Sequence, residues 1–214
     1  MDMKYLFLGF LFFTGTLFAQ SDQKSKTILD NVSKEIKGLN SFYIEFDMQV
    51  QNSATGENSN DKGSGYVKGD KYFATLGETV LISNALKNWT ILKAEKVTYQ
   101  SDYDEDDDEA LSPKKLMTIW ESGFKSKYEK EATFSGKKYH QISLFPVNPG
   151  QVNYHTIVLY VDVQNNELYR AIMKTKDGST MTYTIRKFEK NKEVNDSRFV
   201  YNPQNYPGYQ LIRD

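Results

Sequence analysis

The densest concentration of ionisable side chains is SDYDEDDDEALSPKK, residues 101–115, where every position from Asp102 to Glu109 except Tyr103 is an acid. Crowded carboxylates are the donors that hard cations prefer, so calcium is the first chemistry to test. An EF-hand loop opened at Asp102 needs Gly at its sixth position and Glu at its twelfth, and the sequence has Asp107 and Pro113 there. Opened at Asp104, it has Glu109 and Lys115. No metal site is expected. Two readings remain for Asp102, Asp104, Glu105, Asp106, Asp107, Asp108 and Glu109: a solvated loop kept extended by like charges, or a surface that docks a basic partner.

Other chemistry is thin. There is no Cys, which excludes disulfides, thiolate metal sites, Cys nucleophiles and a lipid-modified N-terminal Cys. The two histidines, His140 and His155, both fall inside strand patterns, where a lone His is ordinarily structural. No G-x-S-x-G, H-E-x-x-H or phosphate-cradling Gly loop is present. Neither catalytic residues nor a cofactor are expected. With 27 Lys+Arg against 28 Asp+Glu, a nucleic-acid partner is not expected either.

The elements around these residues are mostly strands. One long helix is predicted over 24–39, where Ile28, Leu29, Val32, Ile36 and Leu39 follow helical spacing and Gly38 and Asn40 end it. The period then becomes two: SFYIEFDMQVQ sets Phe42, Ile44, Phe46, Met48 and Val50 on one face and Tyr43, Glu45, Asp47 and Gln49 on the other. A polar hairpin loop is predicted over 52–65. Strands follow at 64–69, 71–77, 79–83, 88–93, 95–101, 124–131, 137–147, 153–163, 167–176 and 179–190. Asn165-Asn166 and Asp177-Gly178 mark tight turns. About eleven strands with mostly short turns predict a large antiparallel meander in one domain. SPKKLMTIWESGF interrupts it with a short helix over 112–121, capped by Ser112 with Pro113 in its first turn. The apolar residues, including 15 Tyr and 13 Phe in the whole chain, suit a packed core and a ligand cavity equally, because both use the same side chains.

At the N-terminus a single Lys precedes the apolar run Tyr5–Phe18, and polar residues follow. The run is short for a membrane span, which takes about twenty residues, and has the length of a secretory signal core. Residues 1–19 are expected to be a signal peptide cut near Ala19, leaving 20–214 as a single soluble domain in the periplasm.

ILDNVSKEIKGLNSFYIEF, GSGYVKGDKYF, ISNALKNW, the acidic loop, SPKKLMTIW and FVYNPQNYPGYQLI, in that order and spacing, resemble the LolA-like outer-membrane lipoprotein carriers over roughly residues 24–212. The resemblance implies an incomplete, strongly curved antiparallel barrel of eleven strands with helices over its open side. Its apolar cavity would take the acyl chains of lipoproteins handed over by an inner-membrane exporter and pass them to an outer-membrane acceptor. The carrier would work without a cofactor and as a monomer. On this reading the cavity is lined by Phe42, Ile44, Phe46, Met48, Phe73, Leu81, Trp89, Ile91, Ile142, Leu144, Ile157 and Leu159, and covered by Leu116, Met117, Ile119 and Trp120 as a lid. The chain departs from the family at Gly69, which stands where one branch has an Arg that latches the covering helix. It departs again at Asn84-Ala85, in place of an Asp-Gly turn. A carrier of another lipid on the same fold, and an envelope interaction protein with a filled core, are the competing readings.

Overall fold

A computed structural model describes residues 16–104 and 117–213, with side chains from Asp22 onward. Its single described α-helix, α1 (Thr16–Gly38), begins earlier than the apolar spacing predicts. Ser25, Ile28, Leu29, Val32, Ser33 and Ile36 form its buried stripe at steps of three and four residues. Gly38, Leu39 and Asn40 lead directly into the sheet.

The strands are β1 (Ser41–Asn52), β2 (Asn58–Lys68), β3 (Lys71–Leu76), β4 (Thr79–Ser83), β5 (Lys87–Leu92) and β6 (Val97–Asp102). After the acidic segment come β7 (Phe124–Phe134), β8 (Lys137–Pro146), β9 (Tyr154–Asp162), β10 (Leu168–Thr175), β11 (Ser179–Lys190) and β12 (Gln210–Arg213). They form one 12-stranded sheet in the order β12-β6-β5-β4-β3-β2-β1-β11-β10-β9-β8-β7. Two meanders thus meet where β1 pairs antiparallel with β11, and the ends, β12 and β7, do not close on each other. Register breaks at Glu45/Phe46, Tyr128/Lys130, Leu168/Arg170 and Lys174/Thr175 bend the strands, because an extra residue on one strand sharpens its local twist. The result is a curved, unclosed, mainly β fold with an N-terminal helix on its inner face.

Three elements differ from expectation. The polar stretch read as a loop over 52–65 is mostly strand: β2 starts at Asn58 and pairs with the far end of β1, Gln49 against Asn60 and Gln51 against Asn58. That hairpin tip is largely exposed on both faces, so no apolar alternation marks it. β12 was not anticipated. It is short and joins β6 in parallel, a pairing that depends on a long return of the chain rather than on a local turn. Of the helix expected over 112–121, Ser112, Pro113 and the rest of 112–116 lie outside the described residues, and 117–121 form a turn at Met117–Thr118 and one 3-10 turn, Ile119–Glu121. Leu116 and residues 105–109 lie outside the described residues.

The apolar residues form two separate clusters. Beneath α1, Ile28, Leu29, Val32 and Ile36 pack on Phe42, Ile44, Val67, Ile142, Leu144, Ile157, Leu159 and Val161, with Met117 and Trp120 closing the side. On the opposite, outer face, Val80, Ile82, Trp89 and Ile91 pack against Tyr201, Tyr206 and Tyr209 of the C-terminal segment.

Candidate functional site

Cross-strand register assigns every strand residue to a face, since directly opposed antiparallel residues point the same way. Two inner-face rows are informative. One runs Ile142, Leu159, Ala171, Tyr183, Met48 across β8, β9, β10, β11 and β1; the other runs Leu144, Ile157, Met173, Met181, Val50. Their β8–β9 ends lie under α1, with Ile142 and Leu144 at 0% exposure. Beyond the helix the same rows become half-buried at Ala171, Met173, Met181, Tyr183, Met48 and Val50. The inner face is therefore core at one end and an apolar trough at the other.

The trough has a low floor. Opposite Phe46 and Ile44 on β2 stand Gly63 and Gly65, followed by Leu76 and Ala74 on β3 and then Leu81 on β4. The Phe46 ring occupies the space above Gly63 and meets Tyr183 at a centroid distance of 6.1 Å. Three methionines, Met48, Met173 and Met181, face this space. Their unbranched, polarizable side chains can repack around apolar groups of different shape. Burial raises the pKa of Tyr183, and burial with the neighbouring Tyr103 raises that of Tyr72. Both phenols are therefore neutral at physiological pH.

The expected cavity residues divide in three. Phe42, Ile44, Ile142, Leu144, Ile157 and Leu159 lie on the inner face but are packed against α1 or its neighbours. Phe46, Met48 and Leu81 belong to the half-buried part. Phe73, Trp89 and Ile91 are a correction: they lie on the outer face. Leu81 opposes Thr90, so Thr90 and Leu92 turn inward while Trp89 and Ile91 turn outward, in line with Ile82 and Val80. The Trp89 ring stacks on Tyr201 at 6.0 Å and its N–H donates to Gln100 Oε1 at 3.1 Å. Alternation sets Trp89 and Ile91 apart from Asn88 and Thr90, but it does not say which side of the sheet is the concave one.

The residues read as a lid are also placed differently. Trp120 is 7% exposed, and its indole N–H donates to Ser33 Oγ at 2.8 Å and to the Leu29 carbonyl at 3.2 Å. Met117 is equally buried, and Ile119 packs on the same cluster. Lys37 Nζ lies 2.6 Å from Glu121 Oε2. Residues 117–121 are thus tied to α1, and Trp120 belongs to the main core.

Sequence reasoning missed what holds α1 to the sheet. Lys190, on β11, makes ion pairs with Glu35 of α1 and with Glu167, the latter at 2.7 Å. Burial opposes its charge, but the two carboxylates outweigh that and raise its pKa. Ser25 Oγ and Ser126 Oγ share a hydrogen bond of 2.8 Å, and Lys24 lies 3.6 Å over the Tyr128 ring. Gly69, at φ +58°, occupies the β2–β3 turn. Lys71 turns outward to Asp196, which it shares with Lys68.

The histidines do not converge. His140 opposes Val161 and stands 3.4 Å from the Tyr128 hydroxyl, with its pKa lowered by burial and then by Lys24. His155 is exposed on β9. Among the described residues no group of three His, Asp or Glu could hold a metal, and no helix is long and apolar enough to cross a membrane.

An unclosed, curved, mainly antiparallel sheet with a helix packed on part of its inner face is the class these features define. No protein-family model and no curated protein sequence matches the chain. Among solved structures, an uncharacterized conserved protein from Thermus thermophilus is similar at 11% identity and a TM-score of 0.56, over 90% of this chain and all of that one. That likeness shows a shared fold. A DUF1329 family protein from Desulfovibrio piger aligns at 12% identity and a TM-score of 0.48, over 85% of this chain and 98% of that chain. A LolA superfamily protein from Nitrosomonas europaea aligns at 11% and 0.43, over 83% and 97%.

Proposed function

We propose that the inner-face trough binds acyl chains, and that the protein is a periplasmic carrier delivering lipoproteins from the inner to the outer membrane. The single observation behind this reading is the course of the two inner-face rows. They leave the shadow of α1 as a half-buried strip of Met48, Val50, Met173, Met181 and Tyr183 instead of ending in packed core. A chain of about fourteen carbons exposes on the order of 11 kcal/mol of hydrocarbon to water, at about 0.8 kcal/mol per CH₂. A methionine-lined trough beside a rigid core offsets part of that cost and still permits release. The role needs neither a metal nor a catalytic residue.

On this reading an inner-membrane exporter supplies the cargo and an outer-membrane acceptor takes it. The acidic residues 102–109 speed those encounters by long-range attraction, screened beyond about 8–10 Å at physiological ionic strength. Native mass spectrometry of protein purified from the envelope of its own host tests the proposal. An acylated polypeptide bound one-to-one supports it. A free lipid as the only adduct gives the carrier another cargo. A bare mass, together with no uptake of a fluorescent fatty acid, sinks lipid binding altogether and leaves an interaction protein.

A further inference from the structure

On the outer face, the C-terminal segment after β11 arches over the sheet and leaves a cleft of about 610 Å³ beneath it. Tyr66, Phe73 and Ile82 form its floor, one residue from each of three successive strands in register. Arg198 lines the strap side, with its guanidinium carbon 4.4 Å over the Tyr66 ring and 5.7 Å from the Phe73 ring. Stacking fixes the guanidinium plane and leaves the in-plane N–H groups, the ones that grip an oxyanion, unspent. No carboxylate among the described residues pairs with it, whereas Arg186 is matched by Asp47 at 2.5 Å.

The surrounding charge favours an anion. Lys68 and Lys71 share the single carboxylate of Asp196, and Lys187 and Lys192 share Glu189. Glu193 is the one carboxylate among the lining residues, against Lys192 and Arg198. The Ser197 hydroxyl and the Asn205 amide line the same space and make no side-chain hydrogen bond among the described residues. The cleft has the size of a small-ligand site, with an apolar floor and a strap side that carries mostly polar side chains.

We infer that this outer cleft is a second binding site, for a small organic oxyanion: a carboxylate or phosphate monoester whose head meets Arg198 and whose apolar body lies on Phe73 and Ile82. It is separated from the trough by the thickness of the sheet and does not depend on acyl-chain binding there. Titration calorimetry with benzoate, phenyl phosphate, inorganic phosphate and benzyl alcohol tests it. Benzoate or phenyl phosphate should bind, and the stronger of the two identifies the head group. Inorganic phosphate and benzyl alcohol should each bind at least about tenfold more weakly, because each lacks one half of the recognition. Arg198→Gln should cost about tenfold or more in affinity, and Arg198→Lys should recover only part of it. Amide shifts on titration should fall at Ile82, Ser197 and Asn205 and spare Met48 and Met181. Unchanged affinity in a folded Arg198→Gln variant, equal binding of inorganic phosphate or benzyl alcohol, or shifts centred on the trough would each overturn the assignment.

Discussion

The Phe46 ring lies flat against Gly63: a Cβ built at Gly63 would stand 2.1 Å from Phe46 Cζ. The atoms met are the tip of a rigid ring, so any residue larger than glycine must swing the whole ring aside. Gly63→Ala should push Phe46 into the trough and weaken uptake of a fluorescent fatty acid with little loss of secondary structure. Phe46→Glu should abolish uptake, because an unpaired carboxylate in an apolar trough is strongly unfavourable. Binding that survives in folded Phe46→Glu protein would show that the acyl chain lies elsewhere.

Trp120 and Ser33 supply the second expectation. A buried indole with two hydrogen-bond acceptors on α1 is core, so Trp120→Ala should cost about 3–5 kcal/mol in urea unfolding. Trp120→Phe keeps most of the packing and loses the N–H, and should cost about 1–2 kcal/mol. A loss below about 1 kcal/mol for the alanine variant would return Trp120 to the role of a loose cover.

Ala85 sits at φ +64° in the β4–β5 turn, where L-residues are strained. Asn84 Oδ1 compensates by accepting from the Leu86 and Lys87 amides at 3.0 and 2.8 Å. Ala85→Gly should therefore raise stability by about 1 kcal/mol, the relief of strain exceeding the added freedom of the unfolded chain. A lower melting temperature would show that the turn carries no strain.

Asp196 fastens the C-terminal segment through Lys68 at 2.6 Å and Lys71 at 2.8 Å, and those two lysines hold its pKa down at about 2, against an ordinary 3.8. A depressed carboxylate contributes fully above its unfolded pKa and loses that contribution as pH falls through the folded one. The window is thus from about pH 4 down to about pH 2. In a Trp120→Phe background, Trp89 fluorescence should report loosening of the segment over that range, since Trp89 stacks on Tyr201. Asp196→Asn should look loosened already at neutral pH. An identical acid profile in that variant would assign the transition to other carboxylates.

The sequence alone set the mainly β class, one long amphipathic helix and eleven of the twelve strands. Period-two alternation and turn pairs such as Asp177-Gly178 are local signals, and local chemistry decides whether a segment is extended. The inward set Phe42, Ile44, Phe46, Met48 was legible for the same reason: its polar partners Tyr43, Glu45 and Asp47 made the alternation one-sided. Tertiary structure decided the rest. Trp89 and Ile91 went to the outer face because a distant tyrosine segment, 201–209, covers them there; alternation separates them from Asn88 and Thr90 but cannot tell the concave side of the sheet from the convex one. β12 exists only because that segment returns to β6. Trp120 became core because Ser33 and Leu29, far away in the chain, offer its N–H two acceptors. Lys190 reads as one more surface lysine until folding brings Glu35 and Glu167 to it. Which apolar residues became core and which stayed a half-open trough was decided by where α1 comes to rest, since burial depends on what covers a side chain and not on its own type.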